Sequence, residues 1–266
     1  MQFLASDGEH IVEKVTGGKR RALSQLADSL RSQGIEADSV MRDGRSSVAM
    51  IREVIANQHD LVVKLAKGRF SNRSGFFGST AIRLMRKCPC PVLVVNDDHE
   101  DVVNSVAIAV DVLDPHGIQH ELNDCVIDSA LSIDPQSSVD LLYALPRLMT
   151  MMVGDDMGGD LFTAVELEKL HGEMLVKAKD QLTTLADTIR ERGVAVRDMT
   201  LDGRPEFAIP DYTAEHGIEL LVMGTVGRSG MDGFFYGNTS ERILNRVKCS
   251  VLAIKPPGYV SPIRAK

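Results

Sequence analysis

The chain of 266 residues lacks the long hydrophobic runs from which transmembrane helices are built. No apolar run approaches the roughly 18 residues that a membrane-spanning helix requires, so no membrane span is expected. The first nine residues also lack the basic flank and the apolar stretch of a secretory signal peptide. The four cysteines show no paired zinc spacing, which is typical of proteins from a reducing compartment. Together these absences predict a cytoplasmic protein.

The chain has no excess of positive charge and no familiar catalytic signature. A net charge of −7 argues against a general affinity for nucleic acid or for anionic membranes. There is no Ser-His-Asp order, no zinc-protease helix and no Walker lysine, and the seven histidines do not cluster. We therefore predict no catalytic residue and no resident metal. Cys88 and Cys90 are expected to be buried structural thiols, as are the two remaining cysteines.

The most prominent feature that the sequence does contain is an internal duplication. A shift of 159 residues aligns 23–95 with 182–254 without a gap, and 21 of those 73 positions are identical. About one position in sixteen would match by chance at average amino-acid usage. The matches include Asp43-Gly44-Arg45 with Asp202-Gly203-Arg204. The duplicated unit is far longer than the repeats of solenoid proteins, so it is a whole domain.

Alternating apolar and amphipathic segments predict two α/β domains, each built on a five-stranded parallel sheet with helices on both faces. In the second half, strands are predicted at 106–111, 139–145, 194–201, 220–223 and 250–255. The expected boundaries are 1–98 for the first domain, 99–104 for a linker, 105–258 for the second domain and 259–266 for a tail. The fifth strands, 92–95 and 251–254, are expected to pair within the chain as a pseudo-dimer, and further homodimerisation stays open.

The first half is predicted to be incomplete at its amino terminus. It matches the second half only from the long helix at 14–33 onward, with a strand expected at 35–41 and another at 61–65. Nothing corresponds to the first strand, first helix and second strand of the second half. The repeat therefore predicts a missing piece of roughly fifty residues, or else a first domain whose sheet is open on that side.

A glycine-rich loop follows the fourth predicted strand of the second half. Gly224 and Gly227 are separated by two residues, nine more separate Gly227 from Gly237, and a helical pattern follows. Glycines allow the backbone to approach an anion closely, and the amino terminus of a helix offers free N–H groups. Strand, glycine loop and helix in this order predict a phosphate-binding site. The alternative is a tight strand-to-helix turn without a ligand.

These residues resemble the universal stress protein family and, in their tandem arrangement, its two-domain members. Nucleotide-binding members of the family carry Gly, two residues, Gly, nine residues and Gly, followed by Ser, Thr or Asn. Gly224, Gly227, Gly237 and Asn238 match that pattern, and the likeness extends over essentially the whole chain. The resemblance implies an adenine nucleotide α-hydrolase-like fold that binds ATP, with Mg²⁺ carried by the nucleotide.

Carried over by position, the resemblance implies an ATP site in the second half. Asp111 would face the adenosine, with Ala109 lining the same pocket, and Met223 and Gly224 would lie against the nucleotide. The phosphates would be held by Gly227, Gly237, Asn238, Thr239 and Ser240. In the first half Leu65 replaces the first glycine, so that half is expected not to bind ATP.

The resulting prediction is an ATP-binding stress-response protein that acts as a nucleotide-dependent binding or regulatory module toward an unidentified protein partner. No residue is assigned as a general base, and slow hydrolysis stays open. The alternative is an ATP-independent scaffold or carrier for an apolar metabolite or a protein. Adenylate-forming chemistry is disfavoured, because residues 112–115 do not supply a serine-rich phosphate loop.

Overall fold

The fold is described by a computed structural model of residues 3–66, 77–96, 103–113, 118–133, 138–147, 163–225 and 238–265. The helices of these segments are α1 (Phe3–Ser32), α2 (Ser46–Asn57), α3 (Ser79–Lys87), α4 (Ile118–Ile133), α5 (Ala164–Arg190), α6 (Pro205–Glu215) and α7 (Asn238–Leu244). The strands are β1 (Val62–Leu65), β2 (Val92–Val95), β3 (Val106–Ala109), β4 (Val139–Leu145), β5 (Val196–Asp202), β6 (Leu220–Gly224) and β7 (Ser250–Ile254). Over these ranges, no helix combines the length and the apolarity needed to cross a membrane.

All seven strands belong to one mixed sheet with the order β1-β2-β7-β6-β3-β4-β5. The five strands of the second half are mutually parallel, as the alternation of strands and helices predicted. The first half contributes two strands, β1 and β2, which are also parallel to each other. The predicted five-stranded sheet is therefore correct for the second half and wrong for the first half as described.

The two halves join where β2 runs antiparallel to β7. Val92 pairs with Ala253, Leu93 with Leu252, and Val94 with Val251. This is the pairing of equivalent fifth strands that the repeat predicted, so the intrachain pseudo-dimer is confirmed. Because each of these strands lies at an edge of its own half, the pairing satisfies hydrogen-bonding groups that would otherwise face solvent.

One predicted strand of the first half is absent. Residues 35–41 are described but join no ladder, and Ile35 and Val40 are about half exposed. In the second half the equivalent strand, β5, is held by seven pairs with β4. No described segment of the first half corresponds to β4, so the apolar pattern at 35–41 has no strand to pair with and stays irregular.

Helices cover both faces of the sheet, because successive strand residues point to opposite sides. Leu220 and Val222 face a core formed with α4 and α5, whereas Leu221 and Met223 face the other side. That second core is shared by helices of both halves, α2, α3, α6 and α7. The predicted doubly covered sheet is confirmed, and one of its two cores runs continuously from one half into the other.

Local sequence signals fix the ends of the two longest helices. Thr163 caps α5 by accepting a hydrogen bond from the Glu166 amide at 3.3 Å, while the Glu166 carboxylate accepts one from the Thr163 amide at 2.8 Å. This is a reciprocal capping box. At the end of α1, Ile35 donates to the Leu30 carbonyl and Gly34 to the Arg31 carbonyl. Gly34 has a φ of +82°, which a glycine adopts without steric cost.

The chain divides into two compact units, residues 1–49 and 50–266. The first unit contains α1, whose last turn carries Arg31 in ion pairs with Asp28 and Asp38. The second unit contains the entire seven-stranded sheet. The predicted domain boundaries at 98 and 105 stay a prediction.

The strand pair β1–β2 provides a test of the shared core. Val94 is fully buried in β2, whereas Val63 in the adjacent strand β1 is 59% exposed. We expect Val94→Ala to lower the free energy of unfolding by about 2 kcal/mol or more, because two buried methyl groups are lost and a cavity remains. Val63→Ala removes the same atoms from an exposed position, and its expected cost is below about 0.5 kcal/mol. Urea unfolding followed by circular dichroism measures both; equal losses would contradict the shared core.

Candidate functional site

Four of the predicted site residues converge at the carboxyl edge of the central strands. Ala109, the last residue of β3, is paired with Met223 in β6. Asp111 follows two residues beyond Ala109, and Gly224 is the last residue of β6. Residues more than a hundred positions apart in sequence thus share one edge, the place where open parallel sheets generally bind ligands.

Asp111 is held in place by a buried asparagine that the sequence did not single out. The side chain of Asn123, in α4, accepts a hydrogen bond from the Asp111 amide at 3.2 Å and donates one to the Asp111 carbonyl at 2.9 Å. One oxygen of the Asp111 carboxylate also accepts from the Leu113 amide at 3.3 Å. Asn123 therefore fixes the main chain at Asp111, and the turn after β3 orients the carboxylate. The sequence signal for this role was that Asn123 is a polar residue on a helix face that is otherwise apolar.

Gly224 is required by the close approach of α4. A β-carbon built at this position would lie 2.5 Å from Cδ2 of Leu122, a side chain that is itself buried. The glycine thus has a packing role in addition to any contact with a ligand. Its counterpart in the repeat, Leu65, is 44% exposed. The glycine occurs in the half where α4 packs on the strand end, and its counterpart tolerates a large side chain.

The helix after the glycine loop, α7, is attached to the same edge. The Ser240 hydroxyl, on its first turn, donates to the Gly224 carbonyl at 3.3 Å. Arg242 pairs with the buried carboxylate of Glu206 in α6 at 3.0 Å. Thr239 is exposed beside Ser240, and Asn238 begins the helix. Gly227 and Gly237 lie outside the described residues.

A buried lysine lies directly behind the edge. Lys255, which follows β7, donates to the Met85 carbonyl at 2.5 Å and to the Thr225 hydroxyl. Thr225 in turn donates to the Ile254 carbonyl through both its amide, at 3.0 Å, and its hydroxyl, at 3.2 Å. Burial lowers the pKa of Lys255 to about 7. The sequence carries no signal for this network, because a single lysine after a strand is ordinarily exposed.

A recess of about 350 Å³ opens next to Asp111 between α4 and α5. Most of the residues that line it have polar side chains, and Val112 and Leu185 are the apolar members. The residues that line it are Asp111, Val112, His120, Asn123, Gln181, Thr184, Leu185 and Thr188. The edge thus combines an oriented carboxylate, a serine hydroxyl and an adjoining recess that has both polar and apolar lining, a combination suited to a ligand that carries hydroxyl groups on an apolar ring.

Comparison with known proteins agrees with this architecture. The family model described as "Universal stress protein family" matches residues 4–96 and 127–255. The chain is 30% identical over 264 residues to universal stress protein E of Photorhabdus laumondii, a match that covers 97% of this chain and 82% of that protein. It is 28% identical over 229 residues to universal stress protein E of Escherichia coli K12, covering 84% of this chain and 69% of that one.

Solved structures of similar fold are also universal stress proteins. One from Pseudomonas aeruginosa UCBPP-PA14 superposes with a TM-score of 0.67 at 22% identity, covering 89% of this chain and 78% of that chain. Another, from Archaeoglobus fulgidus, has a TM-score of 0.61 at 17% identity and covers 93% and 79% of the two chains. The fold and the matched regions define a tandem pair of domains of one class. The chain belongs to the universal stress protein family, as the sequence predicted.

The contact between Gly224 and Leu122 predicts a compensating pair of substitutions. Gly224→Ala should cost about 1–3 kcal/mol of unfolding free energy, because its new methyl group overlaps Leu122. Leu122→Ala should cost about 2–5 kcal/mol by leaving a cavity. In the double variant the overlap is absent, so its loss should fall short of the sum by about 1 kcal/mol or more. Urea unfolding of the wild type, the two single variants and the double variant completes this double-mutant cycle. Strictly additive losses of unfolding free energy would contradict the predicted contact.

Burial of Lys255 predicts a distinctive pH dependence of stability. Its folded-state pKa of about 7 lies below the ordinary value of 10.5, so the folded protein binds fewer protons than the unfolded chain between those values. The lysine should therefore make stability rise with pH across this window, by at most about 1.4 kcal/mol per pH unit. Lys255→Met should flatten the rise measured by urea unfolding at pH 7, 8 and 9. Lys248→Met, at an exposed site, should leave it unchanged; parallel curves for all three proteins would refute the assignment.

Proposed function

We propose that this chain binds ATP at the carboxyl edge of the second half and acts as a nucleotide-dependent binding or regulatory module in the stress response. The observation that carries the proposal is the convergence of separate segments. Asp111, beyond β3, and Gly224, at the end of β6, share one edge, and Ser240 of α7 bonds to the Gly224 carbonyl. Membership of the universal stress protein family supports the same assignment.

Each residue has a role suited to its chemistry. The Asp111 carboxylate would accept hydrogen bonds from the adenosine end, with Ala109 lining the pocket beside it. Met223 and Gly224 would lie against the nucleotide. Backbone N–H groups and hydroxyls of Gly227, Gly237, Asn238, Thr239 and Ser240 would hold the phosphates. Mg²⁺ would arrive with the nucleotide, bound mainly by phosphate oxygens and water.

The proposed output is a change in the affinity for a protein partner and not rapid turnover. ATP that contacts both the β3 turn and the segment between β6 and α7 would bridge two elements that meet at one edge. A ligand shifts a conformational equilibrium only if it binds one state more tightly than the other. ATP would bind more tightly to the state in which both elements are placed to contact it. No general base is assigned, so hydrolysis is expected to be slow at most.

The first half is proposed not to bind ATP. Leu65 stands where the second half has Gly224, and no described segment of the first half supplies a counterpart of Asp111. A leucine at this strand end would hinder the close approach of backbone to nucleotide that is proposed for Gly224. One ATP per chain is therefore expected.

A second candidate function, an ATP-independent scaffold or carrier, is favoured by the surface around β1. Leu61, Val63 and Leu65 are all between 44% and 59% exposed. Alternate residues of a strand lie on one face, so these three side chains form an apolar stripe. Such a stripe suits an apolar metabolite or the apolar face of a protein. A lipid that co-purifies with nucleotide-free protein, detected by mass spectrometry, would support this function.

Calorimetric titration with Mg·ATP tests the first proposal. We expect saturable binding of about one ATP per chain. Asp111→Asn should weaken it by roughly tenfold or more, because an oriented carboxylate acceptor loses its charge. Asp124→Asn removes the same charge from an exposed position on α4 and should bind ATP like the wild type.

The repeat supplies a second matched pair. Gly237→Val should abolish binding, because a branched side chain would occupy the phosphate loop. Gly78→Val, at the equivalent position of the first half, should leave binding unchanged; a β-carbon there meets only the Ala66 carbonyl at an ordinary 3.5 Å. Two ATP per chain would refute the proposal for the first half. No binding by folded wild-type protein would refute the nucleotide site and favour the scaffold.

A further inference from the structure

Two cysteine sulfurs lie within contact distance of each other in the first half. Cys88 caps the carboxyl end of α3, Cys90 lies two residues before β2, and the chain bends at Pro89. The two Sγ atoms are 3.5 Å apart. A disulfide bond is about 2.05 Å long, so closure requires the sulfurs to approach by roughly 1.5 Å. That displacement is within the reach of rotation of the two cysteine side chains.

The surroundings of the pair favour a thiolate on Cys88. A hydrogen bond from the Cys90 thiol lowers the pKa of Cys88; burial opposes this, and the Cys90 amide and the positive charge of Lys255 add to it. The same contact raises the pKa of Cys90. Cys88 is therefore the favoured position for the negative charge, and the Cys90 thiol donates its proton toward it.

Access to the two sulfurs differs. Cys90 lines a surface groove of about 660 Å³, together with His59, Pro89, Tyr259 and Arg264. Cys88 has no exposed surface and does not line the groove. A molecule that enters the groove would meet Cys90 first, with Cys88 directly behind it.

We propose that Cys88 and Cys90 form a reversible dithiol–disulfide site that is oxidised by a low-molecular-weight disulfide entering this groove. The site uses other residues than the proposed nucleotide edge, and its chemistry does not depend on ATP binding. It gives a chemical role to residues whose sequence pattern indicated only structural thiols.

The reaction has two exchange steps. The negative charge rests on Cys88, but only Cys90 lines the groove, so the Cys90 proton first passes across the hydrogen bond to Cys88. The Cys90 thiolate then attacks one sulfur of the small disulfide, which forms a mixed disulfide and releases the other half of the small disulfide as a thiolate. Cys88, deprotonated again, then attacks the Cys90 sulfur and displaces the second fragment. The two cysteines are oxidised to one disulfide, the small disulfide is reduced to two thiols, and the two protons of the cysteines leave on those thiols.

The remaining cysteines provide internal comparisons. Cys249 is buried, and burial raises its pKa to about 11, whereas Cys125 is partly exposed and burial also raises its pKa. No group of three or more histidine, cysteine and carboxylate side chains is placed to hold a metal ion in the part of the chain that the structure describes. Each cysteine of the pair thus has the other thiol within contact distance, and among the described residues no set of metal ligands surrounds them.

Oxidised glutathione is the probe for this site. The full chain is incubated with it, unfolded in denaturant with an alkylating agent, and digested for mass spectrometry. In the wild type we expect the peptide containing both cysteines to escape alkylation and to be about two hydrogen masses lighter than its unalkylated dithiol form. This change should be roughly tenfold faster than adduct formation on Cys125 and should reverse on addition of dithiothreitol. Cys249→Ala should behave like the wild type.

Single variants test the order of attack. Cys88→Ala should trap glutathione on Cys90, because the resolving thiol is missing. Cys90→Ala should leave Cys88 unmodified, because Cys88 does not reach the groove. Circular dichroism confirms that each variant is folded. The proposal is overturned by a wild type whose pair stays reduced while Cys125 reacts, by an unresolved adduct on wild-type Cys90, or by a folded Cys88→Ala variant that gains none.

Discussion

The antiparallel contact between β2 and β7 is the constraint on which the arrangement of the sheet depends. Each half alone would end in an edge strand with unpaired backbone groups, and such an edge can pair with another chain. Pairing Val92–Val94 with Val251–Ala253 turns two sheets into one and places both strands in its interior. The edges that remain are β1, four residues long with Lys64 in it, and β5, which carries charged Arg197 and Asp198. Short or charged edges are poor templates for further pairing.

The same contact between β2 and β7 places a polar group of the second half against a helix of the first half. Lys255 continues from β7, yet its ammonium group donates to Met85 in α3 and to Thr225 at the start of the glycine-rich segment. Desolvation makes this position unfavourable for a charge, so the two hydrogen bonds are needed to offset the cost. The lysine thus connects the end of α3, one turn before the thiol pair, to the proposed nucleotide edge. The Lys255 side chain is therefore a direct physical connection between the proposed thiol site and the proposed nucleotide site.

Two kinds of feature could be predicted from the sequence: those that occur in both copies of the repeat, and those that depend only on a short local pattern of residues. The repeat identified equivalent strands, including the two that pair, and the pattern of apolar segments located the five strands of the second half. The strand expected at 35–41 was wrong, because its apolar pattern could not reveal that β4 has no counterpart among the described residues of the first half. Asn123 and Lys255 were missed for a related reason: their roles depend on neighbours distant in sequence.

The glycine motif shows how far a sequence pattern can specify a site. Gly224 matches the family pattern for a phosphate loop, but its hydrogen atom also faces Leu122 of α4 at a distance that admits no β-carbon. Leu65 occupies the equivalent position where no described helix corresponds to α4. The loss of glycine in the first half therefore has a packing explanation that is independent of any ligand. Glycine at 224 is required by the fold. Asp111 and Ser240 carry polar side chains at the same edge, and they are the residues that make the nucleotide proposal specific.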